Sequence, residues 1–222
     1  LDSIDTENMN DEEISKKIES MKKEFVGEEI RGKNLSIIGL GAIGSMVAEQ
    51  AINLGMKVKA YDPGLTVDVA LGLPSSLERC DSMESCFGDA DYVSLHIPLN
   101  SSTEGVINKD KLNLLNKDSV LINFSRGGIV DEEDLIDQLD NGMLLKYVTD
   151  FPTKNLLKRI NLQRDVIIFP HLGASTKESE INCAVMACDQ IIDFLKYGKI
   201  TNSINYPSIS SEKYGKHRIF IT

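Results

Sequence analysis

Apolar residues in this chain fall into short runs, and the period of the pattern changes from run to run. Leu35-Ser36-Ile37-Ile38 is apolar over strand length, whereas from Ser45-Met46-Val47-Ala48 onward the apolar residues take helical spacing. Further runs at Met56–Tyr61, Asp91–Ile97, Ser119–Phe124, Lys146–Thr149 and Val166–Phe169 also predict strands. Between them, Ser82–Phe87 predicts a helical turn capped by Asp81 or Ser82, and Lys109–Leu115 predicts a short helix. Asp131–Leu139 predicts a helix with an acid-rich first turn, stopped by Asn141-Gly142, and Pro63–Pro74 predicts a loop with short structure. Strands that alternate with helices predict an α/β fold with a doubly wound parallel sheet.

The flanks differ. Residues 1–10 are polar, and from Asp11 the residues Ile14, Ile18, Met21 and Phe25 line one helix face, a stripe expected to dock on the sheet domain. Gly27 and Gly32 punctuate the approach to the first strand. Thr176–Tyr197 predicts one long helix with Gly198 as its stop, followed by an extended Ile200–Pro207. Ser208–Gly215 looks like a linker, and Arg218–Thr222 has strand character with nothing to pair with, so truncation is expected there. The predicted division is a connecting helix (1–30), a Rossmann-type domain (31–175), a returning helix and strand (176–207), and the start of a further domain (208–222).

A chain of 222 residues can bury one core and part of a second. Its formal net charge of −10 and pI near 4.8 disfavour nucleic acid or an anionic membrane as partner. Positive potential for an acidic ligand must then be concentrated at helix N-termini and single arginines. Cys80, Cys86, Cys183 and Cys188 form no zinc-type or redox motif. With no signal peptide visible they read as reduced thiols, and a cytoplasmic location is expected. No apolar run is long enough to span a bilayer.

The first strand ends in Gly39-x-Gly41-x-x-Gly44, which leads into a helix. Three glycines alone say little; their context decides. In that context Gly39 permits a tight turn, Gly41 lets a pyrophosphate approach the backbone, and Gly44 lets helix and strand pack. The helix N-terminus, with Ala42 and Ile43, then faces the anion. Asp62 ends the second strand 18 residues after Gly44, where a dinucleotide fold places the acid that binds the ribose hydroxyls. The plain alternative is a turn-initiating Asp before Pro63-Gly64. A carboxylate there would repel a 2′-phosphate, which favours NAD over NADP.

Ligands in such sheets bind beyond the carboxyl ends of the strands. Besides Gly39–Gly44 and Asp62, those ends hold His96 and Pro98, Ser125 and Arg126, Asp150, and His171 with Gly173 and Ala174. Two of these groups suit chemistry. Arg126, before two glycines, has a fork that matches a carboxylate, although a surface Arg paired with an acid is the bland alternative. His171 could move a proton near neutral pH. As lone histidines, His96 and His217 carry the ordinary structural reading.

GLGAIG with Asp62, HIPLNSSTEGVIN, INFSRGGIVDEEDL, VTDFP and PHLGASTKESE together resemble the D-2-hydroxyacid dehydrogenases, over about Val26–Pro207. PHLGAST is similar to the phosphoglycerate branch. The resemblance implies hydride transfer between C2 of a 2-hydroxy acid, here 3-phosphoglycerate, and NAD. It implies that Arg126 holds the carboxylate, that His171 is the acid and base, and that Asp150 meets the nicotinamide carboxamide. Ile43 and Pro98 would line the cofactor cleft. It also implies a homo-oligomer, a missing N-terminal substrate domain of roughly a hundred residues, and a C-terminal ACT-type regulatory domain. Alternatives are a dehydrogenase of another 2-hydroxy acid and a non-catalytic, corepressor-like NAD(H)-binding protein. One departure stands out: the family's Glu beside the histidine is absent from Phe151-Pro152-Thr153-Lys154-Asn155-Leu156. A nearby cation lowers an imidazole's pKa where a carboxylate raises it, so His171 is expected to work without the usual dyad.

Overall fold

The computed structural model describes residues 9–144, 146–160, 165–203 and 206–209. The polar start at 1–8, the Phe25 side chain, most of the 208–215 linker and the strand expected at Arg218–Thr222 lie outside the described residues. Two compact units divide the chain, Leu1–Pro170 and His171–Thr222.

In the first unit, α1 (Asp11–Met21) begins with a reciprocal cap. The Asn10 side chain accepts from the Glu13 amide, and the Glu13 carboxylate accepts from the Asn10 amide. No residue of α1 is buried, and Ile18 is 40% exposed. Among the described residues of its apolar stripe, Ile14 and Met21 are half-buried and Ile18 is exposed, so α1 shows none of the full burial that the expected docking would give.

β1 (Asn34–Ile38), α2 (Ala42–Asn53), β2 (Lys57–Tyr61), α3 (Val67–Gly72) and β3 (Glu78–Arg79) make the first half of the sheet domain. β4 (Tyr92–Leu95), α4 (Lys109–Leu112), β5 (Val120–Asn123), α5 (Glu132–Asp140), β6 (Lys146–Thr149), α6 (Lys154–Ile160) and β7 (Val166–Ile168) make the second. The sheet is parallel throughout, in the order β3-β2-β1-β4-β5-β6-β7, so the chain reverses its direction of travel between β1 and β4. That order is the doubly wound α/β arrangement predicted from the alternating pattern.

Two elements have no counterpart in the apolar pattern. β3 is a two-residue edge strand whose Glu78 and Arg79 are exposed, and it carries no periodic signal. α6 buries only Leu156 and Arg159, and its start is set by the Thr153 hydroxyl, which accepts from the Leu156 amide at 3.2 Å.

Strand alternation divides the core. Ile38, Val93, Leu95, Leu121 and Tyr147 face one cluster, which Phe87, Ile107, Leu112 and Leu135 fill. Leu35, Ile37, Val58 and Ala60 face the other, covered by Ala48 and Ala51 of α2. The first cluster is edged by a charge network. Arg159 Nε and Nη2 bond the Asp165 carboxylate, and Nη1 reaches Asp140 at 2.7 Å. The fork geometry holds α6 against the ends of α5 and β7.

The second unit contains α7 (Lys177–Tyr197), capped by the Thr176 hydroxyl on the Ser179 amide and ended by left-handed Gly198. An antiparallel bridge joins Ile200 to Ile209. Among the described residues no helix is long and apolar enough to cross a membrane.

Arg159→Met should destabilise the protein by about 2–3 kcal/mol in urea unfolding, because two carboxylates lose charge-assisted hydrogen bonds. Arg159→Lys should recover less than half of that loss, since an ammonium cannot fork.

Candidate functional site

Register fixes where the strands stop. Tyr61, Ile38, Leu95, Asn123, Thr149 and Ile168 form one row across the sheet. The residues that follow are Asp62, Gly39, His96, Phe124, Asp150 and Phe169, which makes the next row the carboxyl edge. Three of the candidate residues, Asp62, His96 and Asp150, thus share that edge, and Arg126 lies two residues beyond it.

The glycine turn is built by exclusion. Gly39 has φ +99°, and a Cβ there would stand 2.5 Å from the His96 carbonyl oxygen. A Cβ on Gly44 would stand 2.0 Å from the Gly39 carbonyl oxygen. Around Gly41, by contrast, a Cβ would meet nothing within 4 Å. Gly41 caps α2 without a side-chain hydrogen bond, so the first amides of α2, those of Ala42, Ile43 and Gly44, have no intrahelical acceptor.

Asp62 ties this turn to β2. One carboxylate oxygen accepts from the Leu40 amide and the other from the Gly64 amide, both at 2.7 Å. The turn-forming reading of Asp62 is thus met by two backbone amides, which leave acceptor sites open, because a carboxylate has about four. Ile43 is 59% exposed and lines an apolar groove of about 450 Å³ with Met46, Leu54, Tyr92 and Ile122.

His96 is partly buried, with Nε2 2.9 Å from the Ser94 hydroxyl, and burial lowers its pKa below the ordinary value. Its backbone crowds Gly39 and its Cβ faces Gly44, which is structural work at the edge of the glycine turn. Exposed Pro98 follows, its carbonyl accepting from the Thr103 hydroxyl at 2.6 Å.

Arg126 is exposed and has no acid partner among the described residues; Nη1 donates to the Ser125 carbonyl at 2.7 Å. The surface ion pair weighed as its bland alternative is thus absent there. The loop is anchored from below by Asn123, which bonds both Ser125 and Arg126. Asp150 is 8% exposed, and in its row it lies between Phe124 and Phe169, whose rings meet edge to face at 6.0 Å. Sequence reasoning missed Asn123 and the two phenylalanines; a polar residue closing an apolar strand was the available signal.

Lys154 and Asn155 occupy the first turn of α6. Lys154 is exposed, and Asn155 Nδ2 donates to Glu132 at 2.9 Å.

His171 opens the second unit and is exposed. After it the Ser175 amide bonds the Leu172 carbonyl at 3.1 Å, closing a turn over Gly173 and Ala174, with Ala174 at φ +59°. No cluster of metal-binding side chains occurs among the described residues.

A sequence profile described as D-isomer specific 2-hydroxyacid dehydrogenase, NAD binding domain, matches residues 5–173. The chain belongs to the D-isomer specific 2-hydroxyacid dehydrogenase family. It is 37% identical over 199 residues to a D-3-phosphoglycerate dehydrogenase of Bacillus subtilis, covering 86% of this chain and 36% of that protein. A hydroxypyruvate reductase of Thermotoga maritima is 33% identical, over 77% of this chain and 55% of its own length. Among solved structures, an NAD-complexed D-isomer specific 2-hydroxyacid dehydrogenase from Lactobacillus delbrueckii ssp. bulgaricus superposes with a TM-score of 0.68 at 28% identity. That match covers 78% of this chain and 56% of the other. The chain therefore spans about a third of the length of the phosphoglycerate dehydrogenases it matches. Its cofactor is NAD, and the residues present fit it. Gly41 leaves room for a pyrophosphate, α2 offers unpaired amides, and the Asp62 carboxylate retains acceptor capacity.

The two glycines should separate in experiment. Gly44→Ala should cost about 3 kcal/mol of stability, because main chain must move to admit the methyl group. Gly41→Ala should leave stability within about 1 kcal/mol while weakening NADH binding at least about tenfold by fluorescence titration. A second prediction concerns pH. With its folded pKa below the ordinary value of about 6.5, His96 binds more protons in the unfolded chain. Its contribution is complete above about pH 6.5 and declines as pH falls toward the folded value. Melting temperature against pH should show an acid-side loss that His96→Gln diminishes.

Proposed function

We propose that the protein oxidises a D-2-hydroxy acid at C2 with NAD, and that the acid is 3-phospho-D-glycerate, giving 3-phosphohydroxypyruvate. The observation that carries this reading is Arg126, an exposed guanidinium beyond the carboxyl edge of the sheet, without an acid partner among the described residues of a strongly acidic chain. The names of its phosphoglycerate-oxidising relatives support the substrate.

When bound, NAD supplies a hydride acceptor at nicotinamide C4. Arg126 grips the substrate carboxylate with two hydrogen bonds and polarises the C2 oxygen. The His171 imidazole takes the C2 hydroxyl proton during oxidation and returns it during reduction. Asp150 meets the nicotinamide carboxamide, the α2 amides hold the pyrophosphate, and Asp62 accepts from the ribose hydroxyls. Ile43 and Pro98 bound the cleft, and Ser125, Gly173 and Ala174 contribute main-chain contacts.

A second reading has one specific observation behind it. Exposed Lys154 or Asn155, the latter engaged with Glu132, takes the place of the glutamate that pairs with the histidine in the family, according to where a one-residue gap is put. A dinucleotide-dependent binding protein needs no such dyad.

NADH formation by the intact protein should separate these readings. With 3-phosphoglycerate, kcat/KM should exceed that with lactate or glycerate at least about tenfold, and His171→Ala should lower kcat about 10²–10⁴-fold. Equal rates in wild type and His171→Ala would take the histidine out of the mechanism. Tight NADH binding with no turnover of any acid would favour the binding protein.

A further inference from the structure

The Arg126 loop is held by a set of buried polar side chains beneath it. Asn123 is 1% exposed, Tyr147 4% and Thr149 not at all. Register pairs Asn123 with Thr149 and Leu121 with Tyr147, so alternation puts all three polar side chains on one face of the sheet at its carboxyl end. A buried amide in an otherwise apolar layer needs partners for both of its ends. For Asn123 the loop supplies most of them. Its Oδ1 accepts from the Ser125 amide at 3.1 Å and the Ser125 hydroxyl at 3.0 Å. Its Nδ2 donates to the Arg126 carbonyl at 2.9 Å and reaches the Tyr147 hydroxyl at 3.4 Å.

The set continues across the strand ends. Tyr147 and Thr149 lie on the same face of β6, and the Thr149 Oγ1 accepts from the Phe151 amide at 3.1 Å. Two side chains paired in register, Asn123 and Thr149, thus hold the main chain at Arg126 and the main chain just after Asp150. The Phe151 side chain also lies 3.5 Å from where a Cβ on Gly127 would stand, so the two loops run close together.

We infer that Asn123 and Tyr147 are positioning residues, which fix the main chain at Ser125–Arg126 and tie it to the Thr149–Phe151 segment. The guanidinium and the Asp150 carboxylate thereby keep one spacing. This rests on the hydroxy-acid reading given above. A guanidinium that grips a carboxylate must hold its reacting carbon in place, and loosening of about 1 Å can cost about 10²-fold in rate. An amide suits the position because it accepts and donates at once; a carboxylate would keep the acceptor half only, and an alkyl group neither.

The test uses the intact protein with Asn123→Ala, Asn123→Asp and Tyr147→Phe. Amide hydrogen exchange gives a readout independent of turnover. Asn123→Ala should speed exchange at Ser125 at least tenfold while β1 stays protected, and Asn123→Asp should restore most of that protection. Kinetically, Asn123→Ala should raise KM for the acid at least tenfold and change NADH affinity no more than threefold. Asn123→Asp should keep the raised KM, because the donor to the Arg126 carbonyl is lost. Tyr147→Phe, which preserves core volume, should raise KM about threefold and carries the test if Asn123→Ala does not fold. Unchanged exchange at Ser125, or faster exchange with an unchanged KM for the acid, would overturn the inference. A wild-type protein that oxidises no 2-hydroxy acid would strike the activity reading alone, since the exchange result still decides whether Asn123 fixes the loop.

Discussion

The Gly39 carbonyl occupies the space that a side chain on residue 44 would need, and the His96 carbonyl occupies the space that one on residue 39 would need. Three pieces of main chain, the ends of β1 and β4 and the first turn of α2, therefore interlock at close range. The rest of the carboxyl edge depends on this contact. It sets the entry of α2, leaves the Leu40 amide within 2.7 Å of Asp62, and holds the strand on each side of the reversal point at a fixed height. A methyl group at either glycine would displace backbone, which has nowhere to go in a packed parallel sheet.

Charge placement follows the same economy. The chain carries a net charge of −10, yet its proposed ligands are anionic. α1, α5 and α7 each place acids in the first turn, which neutralises the positive end of the helix. α2 places none there and has no side-chain cap. Its N-terminus is thus the one among these four helices left with its partial positive charge unspent, and it lies at the glycine turn. Arg126 adds a full charge nearby in sequence order along the edge, on a loop whose shape is held by a neutral amide rather than by an acid that would compete for it.

Much of the fold was legible because most of its strands are short apolar runs and its longer helices are amphipathic and capped. α5 and α7 begin and end where caps and stop residues place them, at Asp131, Thr176 and Gly198. β3 and α6 were not legible. An exposed two-residue strand has no period, and a seven-residue helix that buries an Arg through its ion pairs shows too little apolar signal. The apolar stripe of α1 has no fully buried residue within the helix, since periodicity says that a face is apolar and does not say what covers it.

The sequence by itself determined the chemistry available: glycines that permit close approach, an acid after β2, a guanidinium beside two glycines, and a histidine between Pro170 and Leu172. It also determined the parallel α/β class, because local periodicity and capping act within a few residues of chain. Only the tertiary structure decided that Tyr61, Ile38, Leu95, Asn123 and Thr149 stand level, which brings Asp62, His96 and Asp150 to one edge. It alone decided that Asn123 turns inward to hold the Arg126 loop. Register and burial are set by hydrogen bonds between strands far apart in sequence, and no local pattern encodes which strand lies beside which.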